Sequence, residues 1–248
     1  LTELFSGGRP LFLSDIRIPA ELRAVVLAPH PDDFDAIGVT MRFLKENGNR
    51  IDVGVVTSGA SGVEDGFGDA KTAEAKGVLR EYEQRSSCRF FGLPDDQLTF
   101  LRLAEDSNGD PIETLGNLER LRSYLLACRP DMVFMPHWND SNLGHQRTYA
   151  MFRQIAEREN LSLVACLNED PKTIGMRKDL CMVFDGEMEE WKRCLLRCHQ
   201  SQQHRNLATR GRGFDDRILD VNRKAAEALG RSGKCAEVFE LESYGKKA

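Results

Sequence analysis

The chain has 248 residues, 41% hydrophobic, 29% charged and 8% aromatic, with 34 Lys+Arg against 39 Asp+Glu for a net charge of −5. A chain of this length buries roughly 70–75% of its unfolded surface, so its core needs no disulfide or structural metal, and its apolar content and lack of a sustained repeat exclude a disordered, collagen-like or coiled-coil protein. The acidic surplus argues against a nucleic-acid partner, and no run approaches 18 consecutive apolar residues, so no membrane span is expected.

The N-terminal LTELFSGGRP lacks a basic region followed by an apolar one, so no signal peptide is expected. The first strand signal is the apolar run Ala24-Val-Val-Leu-Ala-Pro29. PHPDDFDAIG follows, then a helical pattern through Val39–Lys45 that Asn47-Gly48-Asn49 closes. A second strand is expected at Ile51–Thr57, a Gly/Ser/Asp loop at Ser58–Asp69 and a helix at Ala70–Ser87, with Val78, Tyr82 and Arg85 at helical spacing. Cys88-Arg-Phe-Phe-Gly92 reads as a third strand. Glu113–Cys128 reads as an amphipathic helix with Leu115, Leu118, Leu121, Leu125 and Leu126 on one side. Asp131–Pro136 is a fourth strand, Gln146–Glu159 a helix and Leu161–Leu167 a fifth strand. Beyond these come a strand at 180–184, a helix from Glu187 to about Gln200, a basic loop at His204–Gly213, a helix near 215–229 and a short strand at 236–241.

Seven cysteines, an odd number with no CxxC pair, point to reduced, buried thiols in a cytoplasmic protein. Cys194 and Cys198, four apart on one helix, are expected to pack in the core.

Strands alternating with helices of 10–18 residues imply a mainly parallel sheet with helices on both faces, a Rossmann-like doubly wound α/β fold. One domain over 1–248 is expected, with a core at about 22–170 and a C-terminal α/β elaboration at about 171–248. In such sheets ligands sit beyond the strand C-termini where the order reverses, so the loops after strands one and four are where chemistry belongs.

Those loops read His30-Pro31-Asp32-Asp33 and Pro136-His-Trp-Asn-Asp-Ser-Asn-Leu-Gly-His145. Two carboxylates where a dinucleotide site needs GxGxxG would repel a pyrophosphate, and the chain has no GxxxxGK[ST], HExxH or GxSxG. Pro31 stiffens a turn in which His30 and Asp33, three apart, share a centre; His145 follows 112 residues after Asp33. Two imidazoles and one carboxylate with an open fourth position make a catalytic zinc pattern, with Asp32 beside it as a proton acceptor. The competing account makes both Asp residues N-caps of the next helix.

PHPDD at 29–33 and PHWNDSNLGH at 136–145 resemble the signatures of the PIG-L/LmbE family, the N-acetylglucosaminylphosphatidylinositol de-N-acetylase-like proteins. The likeness continues through Thr57-Ser-Gly59, Arg80-Glu-Tyr-Glu83, Phe91-Gly92, Lys192, His199-Gln-Ser-Gln202 and Ala236-Glu-Val-Phe239. It implies a Zn2+-dependent hydrolase that removes the N-acetyl group from a small-molecule amino-sugar conjugate, and a homo-oligomer, since relatives are often oligomeric. It places the metal on His30, Asp33 and His145, the general base at Asp32 and substrate binding at Arg80. Where many members have His, Asp and Glu, this chain has Asn142, Gly144 and Phe34. Asn142 keeps an amide donor for an oxyanion, worth ~3–4 kcal/mol in a transition state, but supplies no proton. His137 and His199 are candidates for the leaving-group acid or for substrate contact, and Trp138 for stacking on a sugar. Lys192 and Ser201-Gln202 are expected on a helix surface and cap, and the basic loop is a candidate contact for an anionic substrate group.

Two alternatives remain open. A sugar-binding relative that lost turnover with Asn142 and Gly144 would bind without releasing acetate. Asp33-Phe34-Asp35 superficially resembles the DxD of magnesium-dependent phosphatases, although His145 would then have no task.

Overall fold

Eight strands, numbered in chain order, form one sheet in a computed structural model that describes residues 2–5 and 7–245. They are β1 (Leu11–Phe12), β2 (Arg23–Ala28), β3 (Arg50–Val55), β4 (Leu98–Phe100), β5 (Met132–Pro136), β6 (Leu163–Asn168), β7 (Leu180–Phe184) and β8 (Cys235–Tyr244). The helices are α1 (Asp33–Ala36), α2 (Gly38–Glu46), α3 (Ala73–Phe91), α4 (Leu115–Cys128), α5 (Leu143–Arg158), α6 (Gly186–Arg197), α7 (Gln200–Arg210) and α8 (Phe214–Ala228). The strand order is β1-β7-β8-β6-β5-β2-β3-β4, parallel except for β8, which runs antiparallel to β6 and β7. The fold is the expected mainly parallel α/β sheet. No helix among the described residues is long and apolar enough to cross a membrane.

The central strands alternate between two cores, as period-2 side-chain geometry requires. Ala24, Val26 and Ala28 of β2, Met132 and Phe134 of β5 and Cys166 of β6 face one core with Ile37, Met41 and Leu195. Val25 and Leu27, Val133 and Met135, and Ala165 and Leu167 face the other, with Leu121, Leu125, Met151 and Phe152 of α4 and α5. Each buried Val, Leu, Ile, Met or Phe side chain among these contributes about 1.5–3 kcal/mol. At Gly38, a Cβ would lie 2.5 Å from Leu195 Cδ2, so glycine permits the contact of α2 with α6.

Several boundaries differ from expectation. Cys88–Gly92 is not a strand but the end of α3: Gln84, Ser87, Cys88 and Phe91 are buried at helical spacing, and Gly92, in the left-handed region at φ 77°, accommodates the helix stop. The third parallel strand is instead β4, whose three residues are too few for a periodic signal. The basic stretch from His204 is no loop but most of α7. Its buried side chains are Ser201, Gln202 and Asn206, a polar face that leaves no apolar period, and Leu207 is exposed. Ser201 and Gln202 are therefore not a surface cap. On α4, Leu115 is 85% exposed and stands apart from buried Leu121 and Leu125, and on α3 Val78 and Tyr82 face solvent. Cys194 is exposed and Cys128 and Cys198 are half-buried, whereas Cys88, Cys166, Cys181 and Cys235 are buried.

Lys192, expected at the surface, is wholly buried. Its Nζ donates to the Ala36 carbonyl at 2.6 Å, Asn222 Oδ1 at 2.7 Å and Glu237 Oε1 at 2.6 Å. The Glu237 carboxylate accepts from the Val39 and Thr40 backbone N–H groups at the start of α2, so one buried ion pair ties α6 and β8 to the α1–α2 junction. Burial pulls the Lys192 ammonium below its ordinary range, opposed by Glu237.

Candidate active site

β2 and β5 pair directly, Ala24 with Met132 through Val26 with Phe134, so the segments after them emerge side by side. Beyond β2, Thr57 anchors the chain by donating its backbone N–H and its Oγ1 to the Pro29 carbonyl. His30-Pro31-Asp32 then turns sharply, and Asp32 adopts φ 132°, a conformation that costs a non-glycine residue about 1–3 kcal/mol unless its surroundings hold it. Here they do. The Asp32 N–H donates to Gln84 Oε1 at 3.0 Å, Arg80 meets Asp32 Oδ2 at 3.0 Å, and Arg80 Nη2 donates to the Pro31 carbonyl. Arg80 is itself fixed by Glu83 at 3.0 Å, and Glu83 accepts from the Ser201 backbone N–H and hydroxyl. Asp32 occupies the cap position of α1 but makes no side-chain cap bond, so the N-cap account leaves its carboxylate unexplained.

Asp33 Oδ2 accepts from the His30 N–H at 2.8 Å and lies 3.3 Å from His30 Nδ1; its Oδ1 lies 3.6 Å from His145 Nε2. One ligand atom from each of His30, Asp33 and His145 falls within 4.8 Å of the other two. His145 sits in the first turn of α5, 2% exposed, with Nδ1 3.2 Å from Asp140 Oδ2. Asp140 is pinned in turn: its Oδ1 accepts from the Asn142 N–H at 2.6 Å and its Oδ2 from Thr173 Oγ1 at 3.3 Å. A carboxylate that accepts from one imidazole nitrogen leaves the other free to coordinate, the usual outer support of a metal-binding histidine. The donor set therefore fits a divalent ion of the zinc type.

The electrostatics follow from burial and pairing. Burial raises Asp32 to about 6, with Arg80 opposing and Asp33 reinforcing. Burial also acts to raise Asp33, but His145 and His30 outweigh it and hold that carboxyl well below the usual range. Burial disfavours the His145 cation, yet Asp33 and Asp140 lift it to about 10. Asp170 is raised by burial.

These groups open into a cavity of about 570 Å³ lined by His30, Asp32, Asp33, Arg80, Asn142 and His145, among others. Asn142 caps α5 by accepting from the Gly144 N–H at 3.0 Å, and its Nδ2 donates to no described protein group. The remaining candidates stand elsewhere. His137 is buried and does not line the cavity, accepting from the Asn139 N–H with Nδ1 and lying 3.3 Å from Glu240. Trp138, 45% exposed, packs against His137 and Tyr149 away from the lining. His199 is fully buried, its Nε2 2.6 Å from Asp35 Oδ2. Asp35 also accepts from Gln84 and Ser87 and does not reach the cavity, so Asp33 and Asp35 do not face a common site as a phosphatase DxD pair must. Sequence reasoning assigned nothing to Asp140, which lay inside the quoted 136–145 run, or to Asp110 and Asp170, which line the cavity from loops without a motif.

No curated protein matches the chain. Among solved structures, it is similar to the N,N'-diacetylchitobiose deacetylase of Pyrococcus horikoshii, with TM-score 0.70, 18% identity and coverage of 89% of this chain and 83% of that one. It is also similar to the 4-carboxy-2-hydroxymuconate hydratase GalB of Pseudomonas putida KT2440, with TM-score 0.69, 16% identity and coverage of 92% and 98%. A third similar structure is a deacetylase of teicoplanin biosynthesis, with TM-score 0.66, 14% identity and coverage of 91% and 100%. At these identities the likeness is one of fold. The match to the GlcNAc-PI de-N-acetylase family, PIG-L, runs over residues 25–156, more than half the sequence and both loops that build the His30–Asp33–His145 cluster, and the chain belongs to that family.

Proposed function

We propose that the protein is a metal-dependent amide hydrolase that removes the acetyl group from an N-acetylglucosamine-type amino sugar or its conjugate. The supporting observation is the gathering of His30, Asp33 and His145 within 4.8 Å, beside an Asp32 carboxylate that lines the same cavity. A zinc ion held by those three residues would supply Lewis-acid polarisation of the acetyl carbonyl and a more acidic water.

The protein's own groups then divide the work. Asp32 accepts a proton from water as its oxygen bonds to the acetyl carbon, and returns that proton to the amine nitrogen as the C–N bond breaks. Acetate and a free amine leave. Arg80 is a positioning residue: at 3.0 Å from Asp32 Oδ2 and 1% exposed, it orients the base rather than the substrate. The free Nδ2 of Asn142 supplies a hydrogen-bond donor for the developing oxyanion.

The test is acetate release from a panel of N-acetylglucosamine glycosides, before and after removal of metal by a chelator. Release that stops on chelation and returns with zinc supports the reading. Unchanged release from metal-free protein, or sugar binding with no release from any glycoside, overturns it. 4-Carboxy-2-hydroxymuconate is assayed beside the glycosides, because the fold also serves a hydratase in Pseudomonas putida; hydration of that compound without acetate release would replace the deacetylase reading.

A further inference from the structure

The segment from α6 to α8 carries Arg193, Arg197, Arg205, Arg210, Arg212, Arg217 and Arg223, and these arginines fall into two groups. Arg193 meets Asp215 at 2.7 Å and Asp216 at 2.8 Å, and Arg197 meets Asp215 at 2.8 Å. Arg212 pairs with Asp220, and Arg223 with Glu189 and Asp220. The other three, Arg205, Arg210 and Arg217, line the cavity that holds His30, Asp33 and His145. Arg210 reaches only the neutral oxygens of Asn206 and Thr209, at 3.4 and 3.3 Å. Neither Arg205 nor Arg217 donates a side-chain hydrogen bond to, or forms an ion pair with, any described group. Arg205 and Arg217 are half-buried.

The three like charges on this wall repel each other, and partial burial of Arg205 and Arg217 adds a desolvation cost. Burial lowers the Arg217 guanidinium below its usual range, opposed by the Asp170 and Asp32 carboxylates and reinforced by Arg210 and Arg205. Asp32 and Asp170 line the same cavity and act on Arg217 electrostatically, but neither comes within ion-pair distance, so the three cavity-facing guanidinium groups keep their N–H donors free of any described carboxylate. Guanidinium groups bind phosphate and carboxylate through two parallel N–H donors and are the side chains best suited to such an anion.

We propose that Arg205, Arg210 and Arg217 form an anion subsite, and that the amino-sugar substrate carries a phosphate or carboxylate group that these arginines hold while its acetamide faces Asp32. The proposal rests on the deacetylase reading for the identity of the substrate. It makes the cavity two-ended: the His/Asp cluster acts on the amide, and the α7–α8 wall selects charged conjugates over neutral ones.

The experiment compares methyl N-acetylglucosaminide, N-acetylglucosamine 1-phosphate and carboxymethyl N-acetylglucosaminide as substrates of the metal-loaded protein. Each charged hydrogen bond is worth on the order of a tenfold change in affinity. At least one anionic glycoside should therefore exceed the methyl glycoside at least about tenfold in kcat/KM, and the better of the two identifies phosphate or carboxylate. Arg217→Gln and Arg205→Gln should each shrink that preference about tenfold, chiefly through KM, and Arg217→Lys should restore part of it. Equal turnover of neutral and anionic glycosides, or variants that slow all three alike, would overturn the subsite. Should no glycoside release acetate, the deacetylase reading fails, and calorimetric titration decides the subsite separately. Tighter binding of glucosamine 1-phosphate than of methyl glucosaminide, lost in Arg217→Gln, supports it; equal affinity overturns it.

Discussion

Asp140 Oδ2 lies 3.2 Å from Nδ1 of His145, and this contact leaves His145 Nε2 pointing at Asp33 Oδ1. The donor set is thereby shaped by a residue outside it. Asp140→Asn keeps the shape but removes the charge that favours an Nδ1–H tautomer. Metal affinity should fall about 10- to 100-fold, as for outer-shell partners generally, while His145→Ala should abolish stoichiometric binding. Zinc titration against a competing chelator checks both. Unchanged affinity in Asp140→Asn would remove Asp140 from the supporting role.

Asp32→Asn separates the base from the metal. Asn is isosteric with Asp, and the bonds from the Asp32 N–H to Gln84 and from Arg80 to the Pro31 carbonyl remain, so the φ 132° turn should survive. Turnover should fall about 10²- to 10⁴-fold, the range for loss of a general base, with metal stoichiometry intact. Near-normal turnover would show that another group takes the proton.

The buried pair Lys192–Glu237, 2.6 Å apart, predicts a stability effect well away from the cavity. Lys192→Met fills similar volume but leaves Glu237 charged and unpaired in the core. Such half-broken pairs cost about 3–5 kcal/mol. Urea unfolding should show that loss, and because Lys192 also holds the Ala36 carbonyl at the end of the helix bearing Asp33, metal affinity should fall with it.

What was legible in the sequence follows physical range. The His30–Asp33 turn is local, and the topology of alternating strands and helices was enough to bring the β5–α5 loop and His145 beside it. Strands of two or three residues, β1 and β4, are too short for any period to register. α7 eluded the reading because its buried face is Ser201, Gln202 and Asn206 rather than an apolar stripe. Lys192 looked like a surface residue because its partners, Asn222 and Glu237, lie 30 and 45 residues later. The separation of cavity-facing from paired arginines likewise depends on how α7 and α8 fold over the site.

Asp215 couples stability to pH. Its carboxylate accepts from Arg193 and Arg197 through Oδ2 and from Gln203 through Oδ1, joining α6, α7 and α8. Burial would raise it, but these donors prevail and hold it below its ordinary 3.8. A depressed carboxyl stabilises the fold above its unfolded value, near 3.9, and that contribution is lost as pH falls through the folded value. Asp215→Asn should therefore be less stable by about 1–3 kcal/mol at pH 7, and its deficit should shrink below about pH 4. Urea midpoints across pH 2.5–7 (about four values) measure this; a deficit that does not change with pH would mean that the charge is irrelevant.

Gly144 shows how stability and function can move in opposite directions at one residue. A Cβ there would lie 3.0 Å from Cε1 and Nε2 of His30 and 3.1 Å from Asp110 Oδ1. The imidazole therefore packs against bare backbone in the first turn of α5. Within a helix, Ala is favoured over Gly by about 0.8–1.0 kcal/mol, so Gly144→Ala should hold or raise the unfolding midpoint. The displaced His30 ring should nevertheless weaken metal binding, and turnover should drop by about 10- to 100-fold, since sub-ångström misplacement of a reacting constellation carries penalties of that order. Metal titration, acetate release and thermal unfolding on one preparation of Gly144→Ala test the three together. Undiminished metal affinity and turnover would show that the tight fit of His30 against α5 has no functional weight.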